Sequence, residues 1–205
     1  MHRIRTAPPL DPHTPRLRSA AMRGFQLVGL GLAVGALSSL GRAHLDGTLD
    51  AFANSVSTWL VAPFIVGALA AGRRSAAAAG LATCAAQIVG YYAVDHLQGI
   101  RTPGSLIVFW TLCAVLGGPV FGVAGRLWRT TGIAVLAGVF VAEGLYAYLH
   151  RLHQYPTAAL WIGLGLALAV LASRGRVEQL RWLGLTVPLG VAGEVGLTAV
   201  LQRFF

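Results

Sequence analysis

The sequence contains no lysine and few charged residues of any kind. Charged side chains make up 11% of the 205 residues, and hydrophobic residues make up 56%. Soluble domains carry about 25% charged residues, so this deficit excludes an ordinary soluble domain and predicts a polytopic membrane protein. All 16 basic residues are arginines scattered between apolar runs. A nucleic-acid-binding protein concentrates its basic residues in a patch or stripe, so no nucleic-acid partner is expected.

Cysteine is almost absent as well, and the familiar catalytic motifs are missing. Cys84 and Cys113 both lie inside apolar runs, which is typical of small core residues rather than of a disulfide or a metal site. The chain has no CxxC, Walker A, HExxH or GxSxG pattern. The sequence therefore predicts neither a metal site nor a cofactor.

Seven apolar segments are each close to the ~20 residues that a helix needs to cross the hydrocarbon core. The predicted fold class is therefore all-α integral membrane protein with seven transmembrane helices. A disordered basic cytoplasmic tail over residues 1–23, rich in proline and arginine, precedes a single membrane domain over residues 24–205. The predicted spans are residues 24–41, 55–72, 75–94, 105–125, 130–149, 156–173 and 182–201. Residues 43–53 are a candidate interfacial helix.

The arginines give the orientation of these spans. Twelve of them fall in the tail and in the loops after the second, fourth and sixth spans, against four in the remaining loops and the C-terminus. Arginine is enriched on the cytoplasmic side of membrane proteins. The N-terminus is therefore predicted inside and the C-terminus outside, in the plasma membrane of a bacterium.

A repeat of 51 residues runs through the membrane domain. Trp59, Trp110 and Trp161 are each 51 residues apart, and so are Glu143 and Glu194. Because the tryptophans and the glutamates show the same 51-residue spacing, a true repeat is the favoured explanation. The predicted plan is one lead helix followed by three helical hairpins that repeat in parallel.

Glu143 and Glu194 are the candidate catalytic residues, because a carboxylate inside a membrane span costs several kcal/mol unless it is protonated, paired or hydrated. Each glutamate is alternatively a structural partner of a polar group elsewhere in the bundle. An acid in such a place can donate a proton, and aromatic rings beside it can stabilise the resulting cation. Tyr146 shares a helical face with Glu143.

A second polar set recurs every four residues along the third span, in the order Thr83, Gln87, Tyr91 and Asp95. This stripe either lines a pocket or holds neighbouring helices together, and Asp95 is a third candidate acid. The tryptophans lie near the predicted outer helix ends, where an aromatic belt is the simpler interpretation and a pocket wall is the functional one. The predicted substrate-binding residues are Trp59, Trp110, Trp161, Tyr91, Tyr92, Tyr146 and Gln87.

Three segments, NSVSTWLVAPFIVGALA, VFWTLCAVLGGPVFG and VFVAEGLYAYL, carry a resemblance over nearly the whole chain. With them the chain resembles a family of small integral membrane proteins from high-GC bacteria that has no assigned function. In size, span number and embedded carboxylates it also resembles, more loosely, the small membrane-bound terpene cyclases. That second resemblance implies metal-independent cyclisation of a prenyl chain, started by protonation, with Glu143 and Glu194 as the acidic pair.

The leading functional hypothesis is therefore a membrane terpene cyclase that acts on a lipophilic prenylated substrate. A small-solute or proton-coupled transporter, or a substrate-binding membrane subunit, is the alternative, because the candidate residues cluster in the outer half of the bilayer. A structural membrane protein without a small-molecule ligand is the third. Protein partners are left open by the sequence.

Overall fold

The computed structural model describes residues 14–171 and 176–204, and these residues form helices joined by short turns. The helices are α1 (Thr14–His44), α2 (Gly47–Asn54), α3 (Val56–Ala68), α4 (Arg73–Leu97), α5 (Gly104–Arg126), α6 (Ile133–Glu143), α7 (Tyr155–Leu171) and α8 (Arg176–Phe204). Each of the seven predicted spans overlaps one of these helices other than α2, although residues 172 and 173 of the sixth lie outside the described residues. The all-helical class is thus confirmed for the described residues.

Within residues 14–171 and 176–204, five helical segments are long and apolar enough to cross a membrane. They are Gln26–His44, Arg73–Leu97, Gly104–Arg126, Trp128–Arg151 and Leu183–Gln202. The pair α2 and α3 passes the same test jointly but bends by 46° between its two helices, and the apolar helix over Tyr155–Val170 is shorter. The chain therefore has the character of a multi-span membrane protein. The part that the structure describes holds five candidate spans by length and composition, or six if the bent pair is one span.

Helix α1 extends further toward the N-terminus than the first predicted span. It begins at Thr14, inside the segment predicted as a tail, while residues 1–13 of that tail lie outside the described residues.

The α6 span is interrupted by wider turns at both ends. Residues Trp128–Gly132 and Gly144–Arg151 are π-helical and flank the α-helical stretch Ile133–Glu143. Such π-helical turns occur frequently at functional sites. Glu143 is the last α-helical residue before the second of them.

The helices associate in two groups, and the groups meet where α3 and α5 of the first contact α6 of the second. In the first group α4 packs against α1, α3 and α5, and in the second α6 packs against α7 and α8. Small residues permit the closest contacts: a Cβ atom added at Gly35 or Gly90 would overlap the backbone of the facing helix in the α1–α4 pair. Such close approach is the usual basis of helix association in membranes, where lipid removes the hydrophobic driving force.

Candidate ligand-binding cavity and the Glu143 cluster

Asp95 lies near the C-terminal end of α4, where it is buried and completely partnered. Its Oδ1 accepts a hydrogen bond from the Ser39 hydroxyl at 2.6 Å, and Arg42 Nη2 lies 3.2 Å from Oδ1 and 3.1 Å from Oδ2. The Thr102 hydroxyl donates to Oδ2 at 3.3 Å. Asp95 is 2% exposed, and a buried carboxylate needs such partners. The ion pair between Arg42 and Asp95 therefore joins α1 to α4 at this end of the bundle.

Aromatic rings continue from this ion pair along α3 and α4. The guanidinium of Arg42 lies 5.5 Å from the ring centre of Tyr91, within the range of a cation–π contact. Tyr91 in turn meets Trp59 at 5.4 Å and Tyr92 at 5.3 Å, both in edge-to-face geometry. The favourable packing of aromatic pairs in this arrangement fixes the three rings as one continuous surface.

These side chains enclose a cavity of about 290 Å³ among α1, α3, α4 and α5, which we call the aromatic cavity. Trp110 of α5 contributes to its wall. Both cysteines of the chain also lie on the wall, although the sequence predicted only a core role for them. The lining residues are Arg42, Asn54, Ser55, Val56, Trp59, Leu60, Cys84, Ile88, Tyr91, Tyr92, Asp95, Thr102, Leu106, Trp110, Cys113, Ala114, Gly117 and Phe121.

Gln87 supports the cavity from behind instead of lining it. Pro63 lacks an amide hydrogen, so the carbonyl of Trp59, one turn earlier in α3, loses its usual helical partner. Gln87 Nε2 donates to that carbonyl at 3.0 Å, which replaces the missing bond. The Oε1 atom of Gln87 is buried without a hydrogen-bond partner among the described residues.

Glu143 is at the centre of a separate polar cluster at the N-terminus of α3. Its carboxylate accepts hydrogen bonds from the hydroxyls of Ser55 at 2.7 Å and Ser57 at 2.5 Å. It also accepts from the backbone amides of Val56 at 3.1 Å and Ser57 at 2.9 Å. The free amides at a helix N-terminus form a natural anion site. Glu143 thus caps α3 across the boundary between the two helix groups.

Trp161 completes this cluster from α7. Its Nε1 donates to the hydroxyls of Ser55 at 3.0 Å and Ser57 at 2.9 Å, and its side chain is fully buried. Its ring packs against Phe52, Phe140 and Tyr148. We call Glu143, Ser55, Ser57 and Trp161 the Glu143 cluster.

The remaining predicted residues lie apart from the aromatic cavity. Glu194 is half-buried on α8, within electrostatic range of Glu143 and Arg151, and it is absent from the cavity wall. Tyr146 packs one turn from His150 on the π-helical segment, with ring centres 5.9 Å apart. The structure therefore brings together Trp59, Tyr91, Tyr92, Asp95 and Trp110 on one cavity.

Sequence reasoning missed Arg42, which it had counted only as one of the few arginines outside the predicted cytoplasmic segments. Its position at the end of an apolar run, opposite an acid at the end of another, was the available signal.

Comparison with known proteins identifies a family but no characterised relative. No curated protein and no solved structure matches the chain, so the resemblance to terpene cyclases gains no support from these comparisons. One family profile matches residues 14–203, which is nearly the whole chain. The chain belongs to this family, which is described as a family of unknown function (DUF6518).

Proposed function

We propose that this chain is a bacterial plasma-membrane protein that binds a small amphipathic molecule in the aromatic cavity, as a solute-binding or transport subunit. The observation that carries the proposal is the cavity wall, in which Trp59, Tyr91, Tyr92 and Trp110 surround an apolar space with the Arg42–Asp95 ion pair at one end. Ligand pockets combine an apolar, aromatic lining with a few convergent polar groups. A volume of about 290 Å³ suits a small solute or one part of a larger one.

We further propose seven spans with the N-terminus inside. The seven helices that coincide with predicted spans support this count, with α2 and α3 as one broken span and α7 as a short one. The arginine distribution supports the orientation. With that orientation Arg42, Asp95 and Thr102 lie at the outer end of the bundle, where an uptake protein collects its solute. The 51-residue period supports descent of α3–α8 from one duplicated hairpin.

The two native cysteines allow a direct labelling test without an introduced cysteine. In a Cys84→Ser variant, Cys113 on the cavity wall is the remaining thiol of the chain. Intact cells would be treated with a membrane-impermeant methanethiosulfonate, and labelling of Cys113 would be quantified by mass spectrometry. We expect labelling from outside, and we expect protection by solutes that enter the cavity. Labelling only from the cytoplasmic side of inverted vesicles would contradict the proposed orientation.

Binding itself is tested by screening a solute panel for protection of Cys113. The panel includes short organic acids such as butyrate, amino acids and organic cations. A matched Trp110→Ala variant removes one aromatic side chain from the wall. It should raise at least fivefold the solute concentration that half-protects Cys113, since an aromatic contact contributes on the order of 1 kcal/mol or more. If no solute slows labelling in the parent protein at millimolar concentration, the binding proposal is wrong.

The terpene-cyclase hypothesis stays a second candidate because the aromatic cavity contains one carboxyl group, Asp95, beside three aromatic rings. In that case Asp95 is the acid, since Glu143 and Glu194 lie outside the cavity wall. Asp95 first takes up a proton and releases its ion pair with Arg42, then transfers that proton to the prenyl chain, and the proton is returned when the final alkene forms. The test incubates membranes with farnesylated and geranylgeranylated acceptors and searches for a product of unchanged mass and altered retention time. Loss of that product in Asp95→Asn, with retention in Glu194→Gln, would support this candidate. The absence of such a product with every acceptor would count against it.

A further inference from the structure

A second concave surface lies beside the aromatic cavity, on the outside of the helix bundle between α4 and α5. It encloses about 400 Å³, and we call it the α4–α5 groove. It shares Ile88, Tyr92 and Ala114 with the cavity wall. The other lining residues are Leu81, Ala85, Val89, Ile107, Thr111 and Val115.

The groove has no charged side chain in its lining, whereas the cavity wall contains Arg42 and Asp95. Its polar side chains are Tyr92, at the boundary with the cavity, and Thr111, whose hydroxyl already donates to the carbonyl of Ile107 at 2.7 Å. Val89 and Val115 on its rim are 59% and 48% exposed, so the groove opens toward the surroundings of the bundle. For a membrane-spanning α4 and α5, those surroundings are lipid. An occupant that stays there must therefore be a hydrocarbon.

The cavity end has the opposite chemistry. Nη2 of Arg42 is bonded to Asp95, whereas its Nε and Nη1 have no hydrogen-bond partner among the described residues. The side chain of Arg42 is 40% exposed and lies on the cavity wall. Asp95 is already bonded to Ser39, Arg42 and Thr102. The guanidinium of Arg42 thus has donors available at this end of the cavity, and such donors match a carboxylate.

From these two surfaces we infer that the ligand is a single-chain carboxylate amphiphile that enters sideways from the bilayer. Its carboxylate binds Arg42 inside the aromatic cavity, and its hydrocarbon tail lies in the α4–α5 groove, passing Tyr92 and Ala114. From Leu81 to Tyr92 the helix α4 rises roughly 16 Å at 1.5 Å per residue, so the groove accommodates a tail of medium length. This inference rests on the proposed binding function and specifies its ligand class.

The probe for the tail is dodecanoate with a diazirine at its terminal carbon, added to the protein in phosphatidylcholine nanodiscs. We expect photocrosslinks to concentrate on residues 81–92 and 107–115, and excess unlabelled dodecanoate to remove them. An Ala85→Phe substitution fills the groove and should reduce these crosslinks at least fivefold. The matched control is Ala78→Phe, which lies on the same helix and is also exposed but does not line the groove. Crosslinks spread equally over exposed residues of α8 such as Leu185 and Leu189 would show annular lipid and overturn the inference.

The head group is tested by competition between dodecanoate and dodecanol, which differ in charge but not in tail length. A hydrogen bond to a charged group is stronger than a neutral one by enough to change affinity roughly tenfold, so dodecanoate should displace the crosslinker about tenfold better. Equal displacement by the alcohol would contradict the role of Arg42. Butyrate separates this inference from the binding proposal: if butyrate protects Cys113 while the crosslinks are annular, the cavity binds acids and only the tail assignment fails. Groove-specific crosslinks without protection of Cys113 by any acid would overturn the shared ligand, since its head group would then lie outside the cavity.

Discussion

The Glu143 cluster predicts that Glu143 stabilises the fold rather than supplying a catalytic proton. The carboxylate of Glu143 accepts four hydrogen bonds, two from serine hydroxyls and two from amides at the start of α3. Glu143→Ala removes the acceptor of all four. The hydroxyls of Ser55 and Ser57 are 2.8 Å apart and can bond to each other, whereas among the described residues Glu143 is the acceptor for the amides of Val56 and Ser57.

The expected cost follows from those two amides and from the lost charge. Hydrogen bonds to a charged group contribute about 1.5–3 kcal/mol each, and a buried donor left unpaired costs about 1–3 kcal/mol. Because the four bonds share one carboxylate, their contributions are not additive. We therefore expect Glu143→Ala to destabilise the protein by about 3–5 kcal/mol, in the range observed when one partner of a buried charged pair is removed. Glu143→Gln retains one acceptor oxygen and should cost less.

The measurement is the thermal midpoint in detergent, followed by tryptophan fluorescence at one fixed scan rate, since unfolding of membrane proteins is often irreversible. For a chain of this length we expect a decrease of roughly 10 °C for Glu143→Ala. Glu194→Ala is the matched control, because Glu194 follows Glu143 by 51 residues in the sequence while its carboxyl has no such ring of donors among the described residues. Equal decreases for the two variants would refute the reasoning. A normal midpoint in Glu143→Gln, together with a lost activity, would return Glu143 to a catalytic role.

Three further variants test the contacts that shape the cavity. Gln87→Leu leaves the carbonyl of Trp59 unpaired and should lower the free energy of unfolding by about 1–3 kcal/mol, measured by chemical denaturation. In a Pro63→Ala background the alanine supplies an amide for that carbonyl, so the cost should be smaller. An equal cost in both backgrounds would show that Gln87 does not act through this carbonyl. Gly90→Ala introduces a Cβ against the backbone of α1 and should lower the free energy of unfolding by about 1–3 kcal/mol. Gly29→Ala, where nothing lies within 4 Å, should be nearly neutral. Similar thermal midpoints for both variants would contradict the close α1–α4 packing. Trp161→Phe removes one donor and preserves most of the ring, so we expect a cost of about 1 kcal/mol, and a loss as large as that of Glu143→Ala would mean that the indole N–H holds the cluster together.

The helical framework was accessible to sequence reasoning because it depends on the length and apolarity of each run. Every predicted span overlaps a helix, and residues 43–53, predicted as an interfacial helix, overlap α2. The run lengths did not reveal which helices are too short to span alone. The break at Ser55 depends on local capping: its hydroxyl accepts a hydrogen bond from the amide of Thr58 and starts α3 as a separate helix. The π-helical turns around α6 left no recognisable sequence signal.

The candidate site was only half accessible, because a polar residue in an apolar run signals a partner without saying which one. The stripe that ends in Tyr91 and Asp95 was found from its four-residue spacing, and both residues lie on the cavity wall. Glu143 gave an equally strong signal, yet its partners are serines 86 and 88 residues earlier in the chain. No periodicity along one helix encodes such a contact. The sequence thus identified the unusual carboxylates but not their separate environments.

The three tryptophans at the 51-residue spacing show the same limit. Trp59, Trp110 and Trp161 are each 51 residues apart in the sequence, but their surroundings differ. Trp59 and Trp110 lie on the cavity wall, with the indole N–H of Trp59 bonded to the carbonyl of Ala53, whereas Trp161 is fully buried in the Glu143 cluster. If the period records duplication of one hairpin, the tryptophans of the first two copies line the cavity, and the tryptophan of the third stabilises the Glu143 cluster. Ser55 belongs to both surfaces, since it lines the cavity and donates to Glu143. A change at the Glu143 cluster should therefore reach the aromatic cavity through the N-terminus of α3.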